Sequence, residues 1–102
     1  MHVKNVWLIE EQDDDYTFGA IFSFPVSAQE IMEYVSVTTT EGEKTPYQID
    51  AGNTENIVRI KISSVQQWPI SIKFDAGLPD KSGHLQTKNT IIKKYPEERF
   101  IA

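Results

Sequence analysis

The sequence predicts an all-β fold, an antiparallel sandwich of about seven short strands with one brief helix. Three observations carry that expectation. Apolar and polar residues alternate with period two through residues 16–24 and again through 68–75, the pattern of a strand with one face against a core. Clusters of Gly, Pro, Asn, Asp and Ser recur between the apolar runs, and those residues favour turns. Only one stretch reads as helix, and it is too short to build βα units.

The elements follow in order. Residues 3–9 form a first strand, with Val3, Asn5, Trp7 and Ile9 on one face and Lys4, Val6 and Leu8 on the other. Residues 10–15 are an acidic connection. In residues 16–24, Tyr16, Phe18, Ala20, Phe22 and Phe24 share the face expected to be core, opposite Thr17, Gly19, Ile21 and Ser23. Burying such side chains stabilises by about 1.5–3 kcal/mol each, so this strand is a main source of folding energy. Pro25 lacks a backbone N–H and stops the ladder. Ser27 then fits a helix N-cap with Glu30 as its capping-box partner. The helix is a turn or two long, and its expected task is to carry the chain from one edge or sheet to another.

Tyr34, Val35 and Val37 lead into the next extended run, and residues 38–45 read as a polar loop around Gly42. Residues 46–50 are a short strand whose Pro46 suggests a sheet edge. After a turn at residues 51–55, residues 56–62 alternate less cleanly, because Ile57 and Val58 adjoin: Ile57, Arg59 and Lys61 share one face, and Val58, Ile60 and Ile62 are shared between the pleats. Residues 63–67 turn. Trp68, Ile70, Ile72 and Phe74 then alternate with Pro69, Ser71, Lys73 and Asp75 in a second half-buried strand. Residues 76–87 form a long loop and residues 89–95 the last strand. Strand number, spacing and the absence of βα alternation give an immunoglobulin-like sandwich, with an antiparallel barrel as the alternative.

The chain has 102 residues, enough for a single domain over residues 1–102 that buries a core without metal or disulfide staples. No run approaches the ~20 apolar residues that span a bilayer, and the first residues lack the apolar core of a secretory signal. The net charge of -5, with basic residues scattered apart from Lys93-Lys94, argues against nucleic acid as a partner. The chain contains no cysteine, which excludes disulfides, thiol catalysis and cysteine-rich zinc sites.

Each residue group that invites a chemical reading has a plainer one. Asp13-Asp14-Asp15, extended by Glu10 and Glu11, offers oxygen ligands suited to calcium, but lacks EF-hand spacing and reads first as a solvated connection. His2 and His84 lie far apart in sequence and are not expected to pair on a metal, with His84 a turn residue. Asp75, Asp80, Lys81 and Ser82 match no catalytic motif: there is no G-x-S-x-G, paired-histidine motif or phosphate loop. No catalytic, metal or cofactor site is expected, and the chain reads as a non-enzyme. Trp7 and Trp68 would stack on sugar rings if exposed; their alternation with apolar neighbours reads as core for both, and an edge position for the first strand would expose Trp7. The edge near Pro46 to Asp50 is a candidate for adding a partner's strand. Residues 95–102 read as a linker into a further domain or the start of one more strand.

Two stretches carry a family resemblance. Phe22-Ser23-Phe24-Pro25-Val26-Ser27, then the short helix and Val35-Ser36-Val37, resembles the F-S-x-P-V-x-x-x-x-[LI] pattern of bacterial immunoglobulin-like domains. These include the domains of bacterial alpha-2-macroglobulins. The stretch from Trp68 through Gly77, Asp80 and Gly83 to Leu85 is similar to the same domains' Y-x-[IV]-x-[LIF]-x-x-G-[LIV]-x-D-x-x-G-x-x-L. Together the motifs cover about a third of the chain. In physical terms Asp80 can close an Asx turn, Gly77 and Gly83 can take positive φ, and Leu85 can return to the core.

The resemblance implies a framework module of a larger periplasmic or cell-surface protein that traps proteases. Its partners would be neighbouring domains of the same chain. Without cysteine the module cannot hold that family's Cys-x-x-Gln thioester. The alternative is a carbohydrate-binding or adhesive module of a surface protein, with a glycan or protein partner.

Overall fold

A computed structural model describes residues 2–39, 42, 44–63 and 69–95. Its strands are β1 (Val3–Gln12), β2 (Asp15–Phe22), β3 (Val35–Thr38), β4 (Tyr47–Ala51), β5 (Ile57–Ile62), β6 (Ile70–Phe74) and β7 (Ile91–Tyr95). The helix α1 (Ala28–Ile31) runs on into a 3-10 turn at Met32–Tyr34. The strands make two antiparallel sheets, ordered β1-β2-β5-β4 and β3-β6-β7, and neither closes into a barrel. Lettered in chain order these are A-B-E-D and C-F-G, the arrangement of a constant-type immunoglobulin domain.

The inner faces meet over one apolar core. Phe18, Ala20 and Phe22 from β2, with Val58, Ile60 and Ile62 from β5, face Val35, Val37, Ile70, Ile72 and Phe74 of the second sheet. Among the described residues two edge-to-face ring pairs bridge the sheets: Phe22 with Phe74 at 5.9 Å and Phe18 with Tyr95 at 5.1 Å between centroids. Such pairs add about 0.5–1.5 kcal/mol beyond the area they bury.

The expected corner after β2 is present. Ser27 caps α1, its hydroxyl accepting from the Glu30 N–H at 3.5 Å, and the helix carries the chain from the four-stranded to the three-stranded sheet. Phe24, expected in the core, is instead 39% exposed. β2 ends at Phe22, and the bend at Ser23 and Phe24 breaks the alternation. Val26 and Ile31 fill the end of the core in its place. The bend is fixed by Ser23 N–H donating to His2 O at 2.9 Å, by Val26 N–H donating to Glu55 O at 2.8 Å, and by Lys81 N–H donating to Pro25 O at 2.8 Å.

β1 also departs from the sequence reading. Two register shifts against β2 leave Lys4 and Ile9 as extra residues, which is the geometry of β-bulges. Val3 faces the core, but after the first bulge Val6 and Leu8 turn inward and Asn5, Trp7 and Ile9 outward. Trp7 is 36% and Ile9 44% exposed, so the expected burial of Trp7 is corrected. β1 is also longer than expected. Glu10, Glu11 and Gln12 pair with β2, and the acidic connection shrinks to a tight turn at Asp13-Asp14. Asp13 takes φ 54° there, a conformation Asp tolerates better than most residues. β4 lies at the edge of its sheet, as Pro46 suggested.

Candidate functional site

The loop between β6 and β7 is organised by Asp80. Its buried carboxylate accepts from the Leu85 N–H at 3.1 Å and from the Ser82 hydroxyl at 2.7 Å. The Asp80 carbonyl accepts from the Gly83 N–H at 3.1 Å, and Gly77 and Gly83 take the positive φ foreseen for them. The hydroxyl of Ser82, then the backbone of Leu85, favour the charged form and hold the Asp80 carboxyl below its ordinary value of 3.8, against the opposing effect of burial. Leu85, expected to return to the core, is 40% exposed. Its N–H and carbonyl are both bonded to Asp80, and the short bridge between Pro79 and Gln86 holds it at the loop tip. Leu78 occupies the core position, and Thr87 locks the loop base by donating to Asp75 O and accepting from the Leu78 N–H, both at 3.0 Å.

Of the residues weighed for catalysis, Ser82 and Asp80 meet, and His84 joins them with Nδ1 3.1 Å from the Ser82 hydroxyl. The order matters. In a nucleophilic triad the imidazole stands between hydroxyl and carboxylate and takes the hydroxyl proton. Here the hydroxyl is in the middle and donates to Asp80, so its lone pair is left to accept from His84, and the three close a turn. Asp75 pairs elsewhere, with Lys73 at 3.6 Å, and Lys81 pairs with Glu55 at 2.9 Å across exposed surface. Among the described residues no group of three or more His, Asp or Glu is placed to hold a metal, and no helix is long and apolar enough to cross a membrane.

A polar cleft of about 380 Å³ opens where the edges of the two sheets meet, between β3 and β4. Tyr47 lines it and donates its hydroxyl to Val35 O, the outward carbonyl of β3. Thr45 N–H donates to Val37 O at 3.0 Å, so two carbonyls on the β3 edge are satisfied within the chain. Burial pushes the Tyr47 hydroxyl above its ordinary value of 10.0. No sequence motif marked this contact. A tyrosine beginning an edge strand was its only local signal.

The outer face of the four-stranded sheet carries Trp7 and Ile9 beside Gly19, with Arg59 and Asp50 in the same cross-strand row. Lys93 and Lys94 lie on β7, an edge strand of the other sheet. Trp68 and residues 96–102 lie outside the described residues, as does the turn expected at residues 64–67. No family model matches the chain, and a search of curated proteins finds no match.

Proposed function

We propose that the chain is a non-catalytic framework and interaction module of a bacterial envelope protein, working through neighbouring domains of its own polypeptide. The parent favoured by the resemblance is an alpha-2-macroglobulin-like protease trap. The observation that carries the reading is the path of the chain through the sandwich. β1 begins level with Phe22 and Phe74, where β7 also begins, and β7 ends level with Phe18 at the opposite end. The first strand therefore begins and the last strand ends at opposite ends of the sandwich, which suits a domain set in a line. The His84–Ser82–Asp80 chain supports a structural role for a cluster that resembles catalytic machinery.

The test is the gene around this sequence. Flanking sandwich patterns with a Cys-x-x-Gln segment downstream are the expected result. A gene ending near residue 102 overturns the reading.

A further inference from the structure

The outward face of the four-stranded sheet has a feature that a framework role does not use. Gly19 sits mid-strand in β2, between two pairing neighbours, where glycine weakens a sheet and marks the close approach of another group. That group is the indole of Trp7. A Cβ at position 19 would lie 2.6 and 2.7 Å from Cζ2 and Cε2 of Trp7 and 3.0 Å from Cδ1 of Ile9. The missing side chain is what seats the aromatic ring, which remains 36% exposed.

Across Gly19 the paired residue is Arg59, and across Arg59 it is Asp50. Arg59 donates from Nη2 to the Asn53 side-chain oxygen at 3.3 Å. Asn5 is the neighbouring outward residue on β1, and its side-chain oxygen accepts from the Val6 N–H at 2.9 Å, which leaves its NH2 as a donor. The row from Trp7 to Asp50 spans four strands, about 14 Å at three strand spacings.

We propose that this row is a binding platform for a neutral oligosaccharide, with the C–H face of one sugar ring on the indole of Trp7 and the hydroxyls of that ring and the rings linked to it on Asn5, Arg59 and Asp50. The rim chemistry selects that occupant. Arg59 and Asp50 stand side by side in the row, and the next row of the same face adds Lys61 and Glu10, so the two cations and two anions balance and no net field attracts an acidic or a basic partner surface. A protein interface needs a dry centre depleted of charge, whereas here the charged Arg59 stands mid-face, between Trp7 and Ile9 on one side and the half-buried Ile21 and Ile57 of the adjoining row on the other. A sugar presents one apolar face and hydroxyls that both donate and accept, which an indole ringed by donors and acceptors matches. The platform is independent of the framework role: a bare face would fail the test below and leave the flanking-gene test unaffected.

The test applies the protein to a printed array of neutral oligosaccharides and titrates the best-bound glycan by calorimetry. Wild type is expected to bind at least one glycan, and Trp7→Ala and Arg59→Ala to weaken it by about tenfold or more. Gly19→Ala, which keeps the indole but removes its seat, should weaken it as well. Ile92→Ala, exposed on the other sheet, should leave it unchanged. Arg59→Ala decides the matter if Trp7→Ala does not fold. Wild type binding no glycan on the array overturns the proposal, as does undiminished binding by Arg59→Ala and Trp7→Ala. A wild-type dimer that Trp7→Ala dissociates overturns it too, by making the face a self-association surface.

Discussion

Ionised Asp80 ties Ser82 and Leu85 into one turn, so the state of a single proton bears on the whole loop. A carboxyl held below its ordinary value contributes stability above the unfolded pKa, and that stability is lost as pH falls through the folded value. Asp80→Asn is therefore expected to lower the melting temperature at pH 7, with the gap to wild type closing below about pH 4. Melting curves across pH 2–7, on the order of five points through the carboxylate range, check this. Tyr47 works in the opposite sense. Its raised value means that its contribution is present below the unfolded pKa and lost as pH rises above about 10. Tyr47→Phe should cost about 1 kcal/mol at neutral pH, the scale of one hydrogen bond to Val35 O. It should also flatten the alkaline end of the stability profile, measured by urea unfolding. Asp80 was legible in the sequence because an Asx turn is local, with donors two to five residues away. Tyr47 was not, because its acceptor lies twelve residues back on another sheet.

The strands show which elements can be read from their own residues. β2 and β6 alternate without interruption between Phe18 and Phe22 and between Ile70 and Phe74, and all their core residues were legible. β1 was not legible as a face, because a bulge is a property of the pairing. Nothing in residues 3–9 alone says that Lys4 will be skipped against β2. The same holds at the end of β2, where the alternation reads on to Phe24 but the corner toward α1 replaces it with Val26. The register of β1 has a direct consequence. Leu8 packs against the core while Ile9 faces outward. Leu8→Ala should cost about 1–2 kcal/mol, and Ile9→Ala no more than about 0.5 kcal/mol. Urea midpoints of the two variants check this, and equal costs would contradict the bulged register.

At the scale of the molecule, the three sheet-crossing connections decide the architecture: β2 to β3, β3 to β4 and β5 to β6 each pass between the two layers. The sequence signalled the first through Pro25 and Ser27, and left the others to turn residues that fit several β topologies. The layers hold because their inner faces are apolar and meet. Truncating a ring at the junction, as in Phe74→Ala, should cost about 3–5 kcal/mol, a large share of the roughly 5–15 kcal/mol that holds a domain together. The framework role proposed for the chain depends on the same closure, since only a rigid sandwich fixes where its two ends emerge. The most direct test is a NOESY spectrum of the assigned protein. Cross-peaks between the ring protons of Phe22 and Phe74, and between those of Phe18 and Tyr95, are the predicted result. Strands fully formed by chemical shift with neither cross-peak present would contradict the face-to-face packing of the two sheets.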